Sequence, residues 1–182
     1  MSLLGLSYNL RFVPKTFVGF RYRRIRDIPG SKTLLIAIAW GIVTAALPPL
    51  SLTGKASWIA GIIFLWTAGI VFVRTAFFDI LDMQGDRIVG KETFAILLGE
   101  KRSMRLLKNM LIGLIAALIL LSFFHLISYL GLVLIGWPIF FLLLLTAYER
   151  GVLLPSIKLE FLVETNFILA GVAAFLWSVF DL

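Results

Sequence analysis

The fold is decided by residues 57–86, which read SWIAGIIFLWTAGIVFVRTAFFDILDMQGD. The first two thirds of this stretch are almost wholly apolar and long enough to cross a hydrocarbon core of about 30 Å, which takes roughly 20 residues. Asp79, Asp82 and Asp86 stand where the apolar run ends. Because an α-helix has about 3.6 residues per turn, positions i, i+3 and i+7 lie on one face, so these carboxylates are expected to point the same way.

Three like charges on one helical face repel one another unless something offsets them. Mg²⁺ is a common partner for such a face, because it binds one or two carboxylates and completes its shell with substrate phosphate oxygens. The residues therefore predict a magnesium site at Asp79, Asp82 and Asp86. The alternative is that these aspartates only solvate the end of a membrane helix, where a charge costs little.

The composition indicates an integral membrane protein. Of the 182 residues, 60% are hydrophobic and 15% are charged, unlike a soluble globular domain. The absence of cysteine excludes disulfides, thiolate zinc sites and cysteine nucleophiles. We expect residues 1–182 to form a single membrane domain, an all-α polytopic transmembrane helical bundle. Its five expected spans are Thr33 to Leu50, Ser57 to Phe78, Leu106 to His125, Ile127 to Tyr148 and Phe161 to Phe180.

Three features of the spans can be predicted from individual residues. Pro48 and Pro49 are expected to close the first span, and Pro138 to kink the fourth. The third and fourth spans are expected to form a hairpin, because almost no loop separates them around His125, which would cap it. For Glu164 and Asn166, at the start of the last span, interhelical packing is favoured over contact with an acceptor.

The basic residues predict the orientation of the chain. All Lys and Arg residues except Lys55 fall on one side of the membrane if the loops alternate. Because cytoplasmic loops carry the excess of Lys and Arg, the N-terminus and the aspartate loop should face the cytoplasm at the cell (inner) membrane. Residues 1–32 would then be a cytoplasmic basic segment, and residues 79–105 a cytoplasmic aspartate-rich loop and cap. The net charge of +7 thus reports topology and contact with membrane lipid, with no nucleic-acid partner.

Three stretches of the sequence carry a family resemblance. The segment FFDILDMQGDRIVGKETFAILLGEKRS resembles the second aspartate-rich motif of the UbiA-type membrane prenyltransferases, which reads D-x-x-D-x-x-x-D followed by G-x-x-T and a later L-G. YRRIRDIPGSKTLLIAIAWG resembles that family's basic loop and following helix, and LVETNFILAGVAAFLW resembles its last helix. The resemblance extends over nearly the whole chain and implies the family's nine-helix fold, of which this chain would be roughly helices five to nine.

The resemblance also implies a chemistry. Members of the family transfer a prenyl group from an isoprenyl diphosphate to a lipophilic or aromatic acceptor, with Mg²⁺ as cofactor. It implies that Asp79, Asp82 and Asp86 bind the metal, while four cations face the diphosphate: Lys91, Arg87, Arg74 and Lys32. The physics of the reaction agrees, since a departing pyrophosphate needs positive charge and an allylic cation needs a dry apolar wall, to which Phe77, Phe78 and Trp66 could contribute.

The chain departs from the family pattern in two motifs. The first aspartate motif, of the N-D-x-x-D type, does not occur, and the Y-x-x-x-K element is approached only by Tyr22 to Arg26. We therefore expect an incomplete or half enzyme that is inactive alone. It would be a fragment, a truncated gene product, or one half of a split enzyme that a complementary N-terminal half completes. One alternative is a non-catalytic membrane binding or assembly subunit with a vestigial metal loop. The other is an ion-coupled transporter, with Glu164 as the only acid inside a span.

Overall fold

The computed structural model describes residues 30–55, 57–90, 93–153 and 157–180, and within these ranges the chain is helical and has no strand. The basic segment up to residue 29, Lys91 and the C-terminal pair Asp181-Leu182 lie outside the described residues. The helices are α1 Ser31–Gly41, α2 Leu47–Thr53, α3 Trp58–Leu81, α4 Met83–Val89, α5 Phe94–Leu98, α6 Glu100–Phe123, α7 Leu130–Leu134, α8 Gly136–Glu149 and α9 Ile157–Phe180, with a π-helical turn Ile42–Ala46 between α1 and α2.

Five helical segments of the described chain are long and apolar enough to cross a membrane, which confirms the predicted all-α bundle of five spans. The spans run Ser31–Ser51, Trp58–Leu81, Glu100–Phe123, Leu130–Glu149 and Ile157–Phe180. The third begins at Glu100 rather than the predicted Leu106, because helical hydrogen bonding continues through charged residues that a hydropathy pattern leaves out. The protein is therefore an integral membrane protein.

The prolines affect two spans differently. The first span ends at Ser51, one residue beyond the predicted Leu50. Pro48 and Pro49 lie near that end, in the first turn of α2, which continues to Thr53. Proline is tolerated there because the first N–H groups of a helix need no helical acceptor, and the π-helical turn precedes them. In the fourth span the regular helical hydrogen bonding changes at Ile135, between α7 and α8 and three residues before Pro138, while the kink itself stays a prediction.

The predicted hairpin between the third and fourth spans is confirmed. α6 ends at Phe123, and His125 takes a left-handed conformation with φ 54°. The His125 amide donates to the Ser122 carbonyl and the Leu126 amide to the Leu121 carbonyl, the pattern of a Schellman C-cap. His125 therefore ends α6 through its backbone, in agreement with its predicted place in the hairpin.

The core lies where the second, third, fourth and fifth spans meet. Phe77 is fully buried at its centre and packs edge-on against Phe141 and Tyr148, with ring centroids 6.1 Å and 5.4 Å apart. Leu107 and Leu111 of α6 complete the cluster on one side. Two glycines permit close contact between spans: a Cβ on Gly41 would meet the Phe64 ring at 2.7 Å, and one on Gly69 would meet Leu114 at 3.0 Å.

The outward faces of the spans remain apolar. Leu65 is 67% exposed, Leu143 63% and Phe175 65%. Large apolar side chains left outside the core in this number are what a surface in contact with lipid requires, because lipid tails are as apolar as leucine. The start of the first span packs against the end of the second, where Thr33 meets Asp79, and that end of the bundle carries the candidate site.

Candidate functional site

The three aspartates surround a break between two helices. Asp79 lies in the last turn of α3, Asp82 lies at the junction, and Asp86 belongs to α4. The helical path continues across the junction, since the Asp82 amide donates to the Phe78 carbonyl and the Asp86 amide to the Asp82 carbonyl, each at 2.9 Å. The predicted single helical face is thus divided between two helices, and we call residues 79–86 the aspartate turn.

Asp79 is held in place from the first span. The hydroxyl Oγ1 of Thr33 in α1 donates a hydrogen bond of 2.7 Å to Oδ2 of Asp79 in α3. Thr33 is only 2% exposed, so this hydroxyl cannot turn to bulk water instead. The charges that act on Asp79 are those of Lys32, Asp86 and Asp82, so the three predicted carboxylates and one predicted cation share a single electrostatic environment.

The acidic side chains of the described residues do not form a complete metal site by themselves. Among the described residues, no three His, Asp or Glu side chains come together as a group that could hold a metal by themselves. Mg²⁺ rarely uses such a cage: it keeps several waters and binds through one or two carboxylates plus substrate phosphates. Carboxylate oxygens at the aspartate turn are chemically suited to that shared kind of site, while a site made of protein ligands alone is not built here.

The predicted cations are found at different depths. Lys32 and Arg87 are exposed at the end of the bundle that holds the aspartate turn. Arg74 lies five residues before Asp79 on α3, which is about 7.5 Å along the helix. It forms an ion pair with Glu164 of the fifth span, and its guanidinium lies 5.0 Å from the Phe78 ring centroid and 5.9 Å from that of Phe167.

The Arg74–Glu164 pair joins the second span to the fifth. Interhelical contact is the role that the sequence favoured for Glu164, but the partner was not predicted. The two side chains are 30% and 45% exposed, so the pair borders open space rather than lying in the core. An ionic pair inside membrane spans is unusual and points to a functional surface. The rings of Phe78 and Phe167 add cation–π contacts that help to hold the Arg74 guanidinium beside Glu164.

A cavity of ≈ 710 Å³ lies beyond the Arg74 pair, on the side away from the aspartate turn. Its wall is mainly apolar and includes Trp66 and Ile70 of the second span and Phe167 of the fifth, while the hairpin around His125 borders its far end. Asn166, 6% exposed, is a polar side chain in the wall. Of the aromatic residues considered from the sequence, Trp66 lines the cavity, Phe78 contacts Arg74 and Phe77 is a core residue.

Several of these relationships have no sequence signal. Thr33 and Asp79 are 46 positions apart, and Arg74 and Glu164 are 90 apart, so no periodicity or motif connects them. An ionisable pair within apolar spans could have been sought by matching Arg74 with the only acid inside another span. The Thr33 contact could not have been found that way, because a threonine near a helix start usually serves local hydrogen bonding.

Comparison with known proteins agrees with this geometry. A model of the UbiA prenyltransferase family matches residues 12–159, which includes the aspartate turn and four of the five spans. No curated protein and no solved structure matches the chain. The family match covers most of the 182 residues, so this chain belongs to the UbiA prenyltransferase family, whose members transfer prenyl groups from isoprenyl diphosphates.

Proposed function

We propose that the chain binds an isoprenyl diphosphate with its diphosphate at the aspartate turn and its prenyl chain directed into the apolar cavity. The observation that carries this proposal is that the aspartate turn and the cavity lie along the same helix. Asp79 lies in the last turn of α3, and Trp66, thirteen residues earlier on that helix, lines the cavity. The two are about 20 Å apart along the helix axis, a separation suited to a molecule with a charged head and a long apolar tail.

The aspartate turn is proposed as the magnesium site. Asp82 and Asp86 would hold Mg²⁺ together with diphosphate oxygens, and Asp79, fixed by Thr33, would present its remaining oxygen to the same site. Bound Mg²⁺ supplies positive charge that stabilises the departing pyrophosphate. The role proposed for the protein is to present one or two of these carboxylates to a cation whose shell the diphosphate oxygens complete.

Four cations are proposed to contact the diphosphate. Lys32 and Arg87 are exposed at the end of the bundle that holds the aspartate turn. Arg74 lies about 7.5 Å before Asp79 along α3, and Lys91 follows α4 outside the described residues. Cations placed where negative charge develops stabilise the transition state more than the ground state. Arg74 is already oriented by Glu164 and two aromatic rings, so little reorganisation is needed when the diphosphate arrives.

The wall around Arg74 suits an allylic fragment that becomes cationic as the bond to pyrophosphate breaks. Phe78 and Phe167 lie at this height with their rings toward the Arg74 guanidinium, and Trp66 in the cavity wall adds an aromatic ring that can attract the cationic fragment. The apolar lining beyond them excludes water, which would otherwise capture the fragment before the acceptor does. The product would be a prenylated lipophilic or aromatic acceptor, through transfer of an alkyl group other than methyl.

Activity is proposed to require a second aspartate motif. The 182-residue sequence contains no N-D-x-x-D motif, so the diphosphate is contacted here from one side only. Loss of a single electrostatic element in such a site commonly costs about 10²–10³ in rate. We therefore propose that this sequence is inactive by itself and acts with a complementary segment carrying that motif, on the same or another polypeptide.

We also propose an orientation at the cell membrane. Lys32, Arg87 and Arg105 lie at the same end of the bundle as the aspartate turn, whereas Lys55 lies at the opposite end. The positive-inside rule then assigns residues 79–105 and the basic segment before the first span to the cytoplasm, where soluble diphosphates and Mg²⁺ are available.

A transfer assay tests the proposed function. Membranes would contain this chain with a polypeptide that supplies four further spans and an N-D-x-x-D motif, and incorporation of a radiolabelled prenyl group would be followed with and without Mg²⁺. We expect transfer only when both parts and Mg²⁺ are present. Asp82→Asn should abolish transfer, whereas Glu100→Gln, which removes one negative charge outside the aspartate turn, should not. Equal transfer by Asp82→Asn would contradict the proposal and favour a non-catalytic binding subunit.

A further inference from the structure

The outward face of the third span carries two arginines that the proposed function does not use. On α6, the buried residues Ser103, Leu107, Leu111 and Leu118 form one side of the helix. The opposite side is exposed and carries, in order, Arg102, Arg105, Asn109, Gly113 and Leu120. Their spacing of three, four, four and seven residues keeps them on one stripe that faces away from the bundle.

The length of α6 sets the depth of these arginines. Its 24 residues extend about 36 Å, which exceeds a hydrocarbon core of about 30 Å. Because the apolar part of the helix begins at Leu106, the excess length falls in the first turns. Arg102 and Arg105 therefore lie at the level of lipid headgroups, while Gly113 and Leu120 lie at the level of acyl chains.

The two guanidiniums have no partner among the described residues. Arg74 and Lys108, by contrast, form ion pairs with Glu164 and Glu149. Neither Arg102 nor Arg105 forms an ion pair or hydrogen bond within the described part of the chain. Guanidiniums one turn apart can bind the oxygens of one phosphate group, which the planar donor geometry of arginine favours over lysine.

A shallow cleft connects these charges to the apolar surface. It measures ≈ 390 Å³ and is lined by Arg102, Arg105, Leu106, Asn109 and Met110, so it is cationic at one end and apolar at the other. Below it the stripe reaches Gly113, where an added Cβ would meet nothing within 4 Å. Gly113 therefore adds no side chain to this open part of the helix surface, in the direction an acyl chain would take.

We propose that this stripe is a binding site for an anionic glycerophospholipid. Its phosphate would lie between Arg102 and Arg105, its glycerol region near Asn109, and one acyl chain along Leu106 and Gly113. The charge argues for an anionic headgroup, because the single negative charge of the phosphodiester offsets part of the charge of the two arginines only when the rest of the headgroup adds no positive charge. The site lies on the side of α6 that faces away from the bundle and does not depend on the proposed transfer reaction.

Native mass spectrometry of the full chain in detergent can test this site, by titration with dioleoyl phosphatidylglycerol, dioleoyl phosphatidylcholine or glycerol 3-phosphate. We expect phosphatidylglycerol to bind on the order of tenfold more tightly than phosphatidylcholine, and Arg102→Gln/Arg105→Gln to remove that preference. The matched control is Arg150→Gln/Lys158→Gln, which removes the same charge at two exposed residues and should keep the preference. Gly113→Ile, which adds a bulky side chain at this open position, should weaken lipid binding severalfold.

Four results would overturn the proposal. Equal binding of the two lipids would show that the site does not distinguish headgroup charge. Equal loss of the phosphatidylglycerol preference in both double variants would show a diffuse surface potential rather than a site. Binding of glycerol 3-phosphate as tight as that of phosphatidylglycerol would assign the arginines to a free phosphate. A dimer in the untreated protein that Gly113→Ile abolishes would assign the stripe to a second copy of the chain.

Discussion

The hydrogen bond from Thr33 to Asp79 is the residue-scale feature that most affects the aspartate turn. A carboxylate at the end of a helix has several rotamers, and the buried Thr33 hydroxyl selects one of them by donating to Oδ2 at 2.7 Å. A hydrogen bond to a charged group contributes about 1.5–3 kcal/mol, enough to favour one rotamer strongly. Thr33 thereby becomes a positioning residue for the proposed metal site, although it touches no substrate.

Replacing Thr33 tests that role. Thr33→Val removes the donor and keeps the shape, so Asp79 loses its orientation, and we expect about tenfold weaker binding of a non-hydrolysable prenyl diphosphate analogue in the presence of Mg²⁺. Thr33→Ser restores the hydroxyl and should restore most of the affinity. Calorimetry in detergent measures both. If Val and Ser variants bind alike, the hydroxyl does not position the carboxylate.

Individual residues also show the limit of sequence reasoning about the site. That Asp79, Asp82 and Asp86 lie near the end of the second span could be predicted, because the end of an apolar run is a local property of the sequence. The break at Asp82 could not, because helical propensity allows the helix to continue and the surrounding structure decides. The partners of Asp79 and Arg74 were also beyond prediction, since both come from distant helices.

At the scale of helices, the Arg74–Glu164 pair joins the second span to the fifth. Because the two side chains are 30% and 45% exposed, the pair has neither the full desolvation cost of a buried pair nor the small value of a surface pair. A double-mutant cycle with Arg74→Gln and Glu164→Gln should give a coupling free energy of about 1 kcal/mol. Thermal unfolding in detergent supplies the four values, and additive effects would show that the pair does not join the helices.

The contact between the second and fourth spans depends on Phe77. The side chain is fully buried against Phe141 and Tyr148, so Phe77→Ala should leave a cavity and destabilise the bundle by about 3 kcal/mol, the low end for such changes because lipid already solvates apolar groups. Leu143→Ala, at a 63% exposed position on the fourth span, is the control and should cost much less. Chemical denaturation in mixed micelles would show the difference, and similar losses would contradict this packing.

The spans themselves could be predicted well and their ends less well. Long apolar runs separated by charged residues give the number and order of the five spans, because each helix satisfies its own backbone hydrogen bonds in lipid. The π-helical turn that precedes Pro48 and Pro49 in the first span was not predicted. Helix ends in general depend on capping and neighbouring helices that a hydropathy pattern does not contain.

For the whole molecule, the proposed orientation puts the aspartate turn in the cytoplasm. With five spans, a reporter fused after Phe180 should then lie outside the cytoplasm, while one fused within residues 83–90 should lie inside. Alkaline phosphatase, active only outside, and green fluorescent protein, fluorescent only inside, report the two locations. A C-terminal fusion that fluoresces would contradict the orientation or the number of spans, and the fusion within residues 83–90 would show which of the two is wrong.

The central claim concerns the whole molecule: the aspartate turn binds Mg²⁺ and a prenyl diphosphate together. Its most direct test is the calorimetric affinity of the purified chain for a non-hydrolysable prenyl diphosphate analogue, measured with and without Mg²⁺. We expect Mg²⁺ to tighten binding by on the order of tenfold or more, because diphosphate oxygens complete the shell that the carboxylates leave open. Asp82→Asn/Asp86→Asn should remove this effect and Glu100→Gln should retain it. An affinity that is the same with and without Mg²⁺, or a Mg²⁺ effect unchanged in Asp82→Asn/Asp86→Asn, would contradict the account.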